Sequence, residues 1–223
     1  MLFTDPDRTR IAGAIAEAEA HTAGEIVVII STAVHRYRST ALSLAALVAL
    51  AAPMLALFLG WSPATLFPDW DAAASPALRE RHGLEVLLLV QALVFVLTLA
   101  LALFSGLDRQ LTPRGLRRDR VHAAALTQFK ARGLEATQGR TGVLIYIDEP
   151  DHIAEIIADS GIYSKVPPEY WGDTIAALTG GIKAGKAADG MVKAIGLAGK
   201  VLAEHIPPHP RNDNELPDHL IEI

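Results

Sequence analysis

Two long runs without a formal charge constrain this chain more than anything else in it. From Ser39 to Pro68 no charged residue occurs, and Ala41 to Leu59 is the most apolar stretch. At 1.5 Å rise per residue that stretch crosses the hydrocarbon core of a bilayer as one helix. Val86 to Leu107 is a second uncharged run of similar reach. A chain of 223 residues has too little remaining surface to bury two such helices in a water-soluble core. The pair is therefore expected to form a transmembrane hairpin, with spans at about 41–59 and 86–105. Pro53 lies within the first span, where packing on a neighbouring helix tolerates a kink.

Composition agrees with that expectation. Hydrophobic residues make up 51% of the chain and charged residues 20%, and the mean hydropathy is +0.28. A net charge of −5 gives no support for a nucleic-acid footprint, so no nucleic-acid partner is expected. The absence of cysteine excludes disulfides, thiolate metal sites and a cysteine nucleophile. The N-terminus lacks the basic-then-apolar order of a secretory signal and reads as a helix start, with Asp5 as cap and Pro6 in the first turn.

The flanks of the hairpin predict its orientation. Arg36 and Arg38 precede the first span, and Arg109, Arg114, Arg117, Arg118 and Arg120 follow the second. The connector holds Arg79 and Arg81 with Asp69, Asp71 and Glu80. This bias places both termini in the cytoplasm of a bacterial-type inner membrane. Trp61, Phe67 and Trp70, among Pro63 and Pro68, suit a connector lying at the headgroup level. Ala41, Ala45 and Ala49 form a small-residue stripe that lets the first span approach the second. Neither span carries a deep ionisable residue, so transport by the hairpin is not expected.

Outside the hairpin the pattern is α/β. Ile11, Ala14, Ile15 and Ala18 mark the apolar face of a first helix, and Glu25-Ile-Val-Val-Ile-Ile is a buried strand. Val121, Ala124, Ala125 and Phe129 predict a helix over 116–132, closed by Gly133. Gly142-Val-Leu-Ile-Tyr-Ile is a second buried strand, and 152–158 a third, joined to it by a turn at Asp148-Glu-Pro-Asp151. A helix through Leu178 is expected to break at Gly180-Gly181, before a last helix from Asp189 to Ile206. The domain is thus divided into residues 1–35 and 113–208 around the hairpin segment 36–112, with an irregular tail over 209–223.

Several fragments together resemble the TPM domain family. They are Thr22-Ala-Gly-Glu-Ile-Val-Val, Thr137-Gln-Gly-Arg-Thr-Gly-Val-Leu-Ile-Tyr, Ile156-Ile-Ala-Asp-Ser-Gly-Ile, Val166-Pro-Pro-Glu-Tyr-Trp and Asn214-Glu-Leu-Pro. They cover residues 8–32 and 116–220. The resemblance implies a three-layer α/β/α sandwich, here interrupted by the hairpin. It also implies a kinship with thylakoid proteins of photosystem repair, some of whose relatives are described as acid phosphatases or as binding calcium.

If the first two strands are parallel, Ser31, Thr32, Asp148 and Asp151 share one sheet end. Thr22, Glu25, Arg140, Thr141 and Asp159 share the other. At this second end Glu25 and Asp159 are the candidate ligands of Ca2+ or Mg2+, with Thr22 and Thr141 as weaker neutral donors and Arg140 as a phosphate partner. Gly180-Gly-Ile-Lys-Ala-Gly-Lys186 is not a phosphate-binding loop, because Ala187 stands where a metal-binding hydroxyl is needed. His205, His209 and His219 lack the spacing of a metal site. The leading expectation is a non-enzymatic assembly factor partnered by the bilayer and another membrane or membrane-associated protein. The alternative is a divalent-metal-dependent phosphatase acting on phosphomonoesters, in which the metal activates water.

Overall fold

The computed structural model describes residues 3–61, 75–208 and 214–223, in two units. Met1–Val34 and Arg114–Ile223 make one, and His35–Pro113 the other.

The first unit is a three-layer α/β/α sandwich. Helix α1 (Asp5–Glu19) begins one residue earlier in its capping than the sequence suggested. Thr4, not Asp5, is the cap: its hydroxyl accepts the Asp7 N–H at 3.4 Å, and the Asp7 carboxylate accepts the Thr4 N–H at 3.0 Å. That reciprocal pair satisfies two amides that Asp5 alone could not.

Strand β1 (Glu25–Ser31) runs parallel to β2 (Gly142–Asp148), with Glu25 opposite Gly142 and Ser31 opposite Asp148. Strand β3 (Ile153–Ala158) returns antiparallel to β2. Strand β4 (Leu220–Glu222) pairs parallel to β1, giving the order β3-β2-β1-β4. The tail is therefore not wholly irregular. Leu220 fills one face and Ile221 the other, while Ile223 and Thr32 extend the ladder with bonds of 2.9 Å.

Alternation along the strands divides the core. Ile26, Val28 and Ile30, with Val143, Ile145 and Ile147, face the layer of α1, α7 (Gly172–Lys183) and α8 (Ala187–His205). Val27, Ile29, Leu144 and Tyr146 face the buried side of helix 114–131, which carries Val121, Ala125 and Phe129. Both central strands are buried on both faces, which is why they read as continuous β-branched runs.

Helix α7 passes through Gly180-Gly181 to Lys183 rather than breaking there. A Cβ on Gly181 would lie 2.4 Å from the Cα of Gly190 on α8, so the glycine serves a close helix crossing. The need for contact outweighs the weak helix propensity of glycine.

The second unit consists of α2 (Arg38–Phe58), α3 (Pro76–Ser105) and α4 (Leu107–Leu111), and is followed by α5 (Arg114–Ala131) of the sandwich. At 1.5 Å per residue α2 and α3 are about 32 and 45 Å long. On α2 the buried residues are Ala41, Ala45 and Ala49, the expected small-residue stripe. Helix α3 starts well before the expected span, capped by Ser75 and supported in its charged first turns by an Arg81–Glu85 pair at 2.9 Å. The ends of the hairpin are tied by polar contacts: Asp108 accepts the Tyr37 N–H at 2.8 Å, and the Thr40 and Thr112 hydroxyls meet at 2.8 Å. Phe67, Trp70, Pro63, Pro68, Asp69 and Asp71 lie outside the described residues.

Candidate functional site

The start of the parallel strands collects all five residues singled out in the sequence. Each has local structural work. Thr22 donates its hydroxyl to the Ile206 carbonyl at 2.6 Å and accepts the Gly24 N–H at 3.1 Å. Thr141 donates to the Ala23 carbonyl at 2.7 Å, pinning the entry of β1 to that of β2. Arg140 sits at φ 55, and its carbonyl accepts the Gly161 N–H at 3.0 Å. A Cβ on Gly161 would lie 2.6 Å from that carbonyl oxygen, which accounts for glycine at this close approach.

Glu25 and Asp159 flank Gly142, Glu25 on the neighbouring strand and Asp159 through its N–H to the Gly142 carbonyl at 2.9 Å. They stand about two strand spacings apart, roughly 9.5 Å along the sheet. Asp159 caps the short helix α6 (Ser160–Tyr163), its Oδ1 accepting the Ser160 N–H at 2.6 Å. Its Oδ2 is buried without a hydrogen-bond partner among the described residues, and is the oxygen that a cation would find open. Glu25 is buried and accepts the Leu216 N–H at 3.2 Å, and burial pushes its carboxyl pKa upward. A hard cation wants ionised oxygens converging at 2.3–2.6 Å. Among the described residues no group of three or more His, Asp or Glu side chains is arranged to hold a metal.

The neighbour that the sequence concealed is Glu19. It ends α1 and is only 8% exposed, with its Oε1 accepting the Ile26 N–H at 2.7 Å. Burial raises its pKa to about 8, and the nearby Glu25 and Asp218 carboxylates push in the same direction. Glu19, Glu25, Asn214 and Asp218 line one shallow depression where the tail crosses this end. An acid in the last turn of an amphipathic helix gives no sequence signal of burial, because the turn that folds it under the sheet is tertiary.

At the opposite end, where β1 and β2 finish, polar groups are buried more deeply. Ser31, Asp148 and Asp151 are 2%, 1% and 5% exposed. Asp148 accepts the Asp151 N–H at 3.0 Å, and Arg117 of α5 lies 4.0 Å from the Asp151 carboxylate. Tyr146 is pushed to a higher pKa by burial, opposed by a hydrogen bond with Ser31. Beside these groups is a cavity of about 560 Å3, walled by Ile30, Ile147, Leu178, Ile182 and Met191 among others. Open α/β sheets bind ligands outside the carboxyl ends of their parallel strands. That rule was the available signal, although the lining comes from segments between residues 3 and 191 that no motif links.

Residues 111–201 match the family model described as the TPM domain. No curated protein matches the sequence. Among solved structures the chain is similar to the BA42 protein of the psychrophilic bacterium Bizionia argentinensis, determined by NMR. The two are 19% identical over 99% of this chain and 95% of that one, with a TM-score of 0.58. At that identity the likeness is one of fold.

Proposed function

We propose that the protein, whose residues 111–201 match the TPM domain model, is a membrane-tethered factor that works by binding and assembly rather than by bond cleavage. The observation that carries this reading is the engagement of the strand-entry donors. Thr22 and Thr141 hold backbone carbonyls, and Glu25 and Asp159 hold backbone amides. Side chains already fixing loop geometry are poor candidates for ligands that must move with a reacting phosphate.

The tether is the pair α2 and α3. Their most apolar windows have mean hydropathies of 2.3 and 2.8, yet only 17% and 11% of those windows is buried within the protein. A core helix of a water-soluble protein would be mostly buried. Leu47, Leu50, Leu89, Leu97 and Phe104 are between 58% and 83% exposed, and hydrocarbon is the solvent in which that surface costs nothing. With the arginine bias, the α/β unit is cytoplasmic, and its partners are the bilayer and a second membrane or membrane-associated protein.

The divalent-metal phosphatase is the second reading, favoured by the open Oδ2 of Asp159. The two separate in one assay on the full chain in phosphatidylcholine nanodiscs. We expect no release of phosphate from p-nitrophenyl phosphate with calcium or magnesium. Metal-dependent release that disappears in Asp159→Asn would establish the phosphatase instead. Orientation is checked in intact cells with an impermeant thiol reagent, on single cysteines in this cysteine-free chain. Ser75→Cys should label and Ser164→Cys should not; the reverse pattern would put the α/β unit outside.

A further inference from the structure

A groove lies between the start of α7 and the end of α8, and it shares no lining residue with the cavity or the depression described above. One wall comes from Glu169, Tyr170, Asp173 and Thr174, and the other from the Lys200–Glu204 turn of α8. Three carboxylates therefore share the groove with one ammonium group. Glu169, Asp173, Lys200 and Glu204 are all exposed, and none of these four side chains forms an ion pair or hydrogen bond with another described residue. Helix stability explains Asp173, which sits in the first turn of α7, where the dipole favours an acid. It does not explain Glu204, placed in the last turn of α8, where the same field favours a cation.

Two further features of the groove point to a ligand. Tyr170 is 46% exposed, and its ring is set by a T-shaped contact with His205 at a centroid distance of 5.3 Å. Thr174 is fully buried, and its hydroxyl has no hydrogen-bond partner among the described residues. Helical threonines elsewhere in the chain return their hydroxyls to the carbonyl four residues back, as Thr9, Thr127 and Thr179 do at 2.8–3.1 Å. Thr174 follows the 3-10 turn Pro168–Trp171 and makes no such bond. An unserved buried hydroxyl is costly, and a donor pressed into the groove would relieve it. The long side chains of Glu169, Lys200 and Glu204 can part above it, as a packed aliphatic wall could not.

We propose that this groove receives an arginine side chain from an exposed segment of a partner protein. A guanidinium carries five donors in a planar fork, so it can engage two carboxylates and the Thr174 hydroxyl while stacking on Tyr170. A divalent cation fits less well, since no group of three or more His, Asp or Glu side chains among the described residues is arranged to hold one. A small free cation fits less well too, because exposed walls leave most of such a ligand in water. The proposal rests on the binding reading above and names the chemistry of the partner.

The test is the anisotropy of the peptide acetyl-Ala-Arg-Ala-Arg-Ala-amide, carrying a neutral coumarin, titrated with the full chain in phosphatidylcholine nanodiscs. Wild type should bind it saturably below about 1 mM, and about tenfold more tightly than the same peptide with citrulline for arginine. Glu169→Gln, Asp173→Asn and Glu204→Gln together should weaken binding about tenfold. Glu17→Gln, Asp119→Asn and Glu135→Gln together remove as much charge from exposed acids outside the groove, and should change it less than about twofold. Thr174→Val should weaken the peptide about threefold without lowering the Tm of the free protein, whereas a purely structural hydroxyl would lower the Tm and leave binding unchanged. Lys200→Glu should tighten binding about threefold, a gain that a poorly folded variant cannot mimic. No saturable binding by wild type, equal affinity for the citrulline peptide, or equal losses in the two triple variants would each overturn the proposal. None of these outcomes bears on phosphate release, so the assembly reading keeps its own separate test.

Discussion

Glu19 behaves unlike any other carboxyl described in the chain. Its folded pKa of about 8 lies above the ordinary glutamate value, so near neutrality the folded state holds a proton that the unfolded chain has released. Stability should therefore fall as pH rises between about 4.5 and 8, by at most about 1.4 kcal/mol per pH unit from this group. Glu25, displaced upward as well, contributes with the same sign. Glu19→Gln keeps an oxygen for the Ile26 N–H and cannot ionise. Thermal melts across that range should show a shallower slope for the variant and a higher Tm than wild type at pH 8. Identical slopes would mean that Glu19 is not the titrating group. The two adjacent glycines of α7 make a second contrast. A side chain on Gly180 meets nothing within 4 Å, whereas one on Gly181 meets the backbone of Gly190. Gly180→Ala should stabilise by up to about 1 kcal/mol through helix propensity. Gly181→Val should destabilise by about 1–3 kcal/mol or more, because backbone cannot move aside as a side chain can. Similar melts for both variants would refute the close crossing.

Among the elements, those with dense local patterns were readable in advance. β1 and β2 are unbroken β-branched runs, β3 follows a tight turn, and the helix ending at Ala131 repeats its apolar residues at helical spacing before Gly133 at φ 73. Strand β4 was not readable, for it has three residues and its pairing depends on an edge of β1 that the local sequence cannot reveal. The strand nonetheless covers that edge, and an exposed edge invites pairing with other chains. Deleting residues 219–223 should speed hydrogen exchange at the Thr32 amide, which donates to the Ile223 carbonyl at 2.9 Å. Unchanged exchange there would mean that β4 contributes no protection. The strand-entry end was readable in part: the five chosen residues do share it, but Glu19 joins them only through folding.

For the whole molecule, the interest lies in a sandwich whose first helix and strand are separated in sequence from the rest by 79 residues of a different character, His35–Pro113. β1 is central, buried on both faces and bonded to β2 on one side and β4 on the other, so neither flanking segment makes the sheet alone. Replacing residues 36–112 with a flexible Gly/Ser linker should yield a soluble protein that melts in a single cooperative transition. An unfolded product would show that the sandwich requires the apolar unit. Periodicity and charge, which act over neighbouring residues, were enough to determine two long apolar helices and three strands, whereas the parallel pairing of β1 with β2 is a fact of the folded sheet. What only the tertiary structure decided is whatever depends on residues distant in the chain. The tail became a strand, a terminal glutamate became a buried acid holding a proton, and segments from Phe3 to Met191 closed around one cavity. Burial and long-range pairing set those outcomes, since desolvation and sheet edges exist only once the chain has folded.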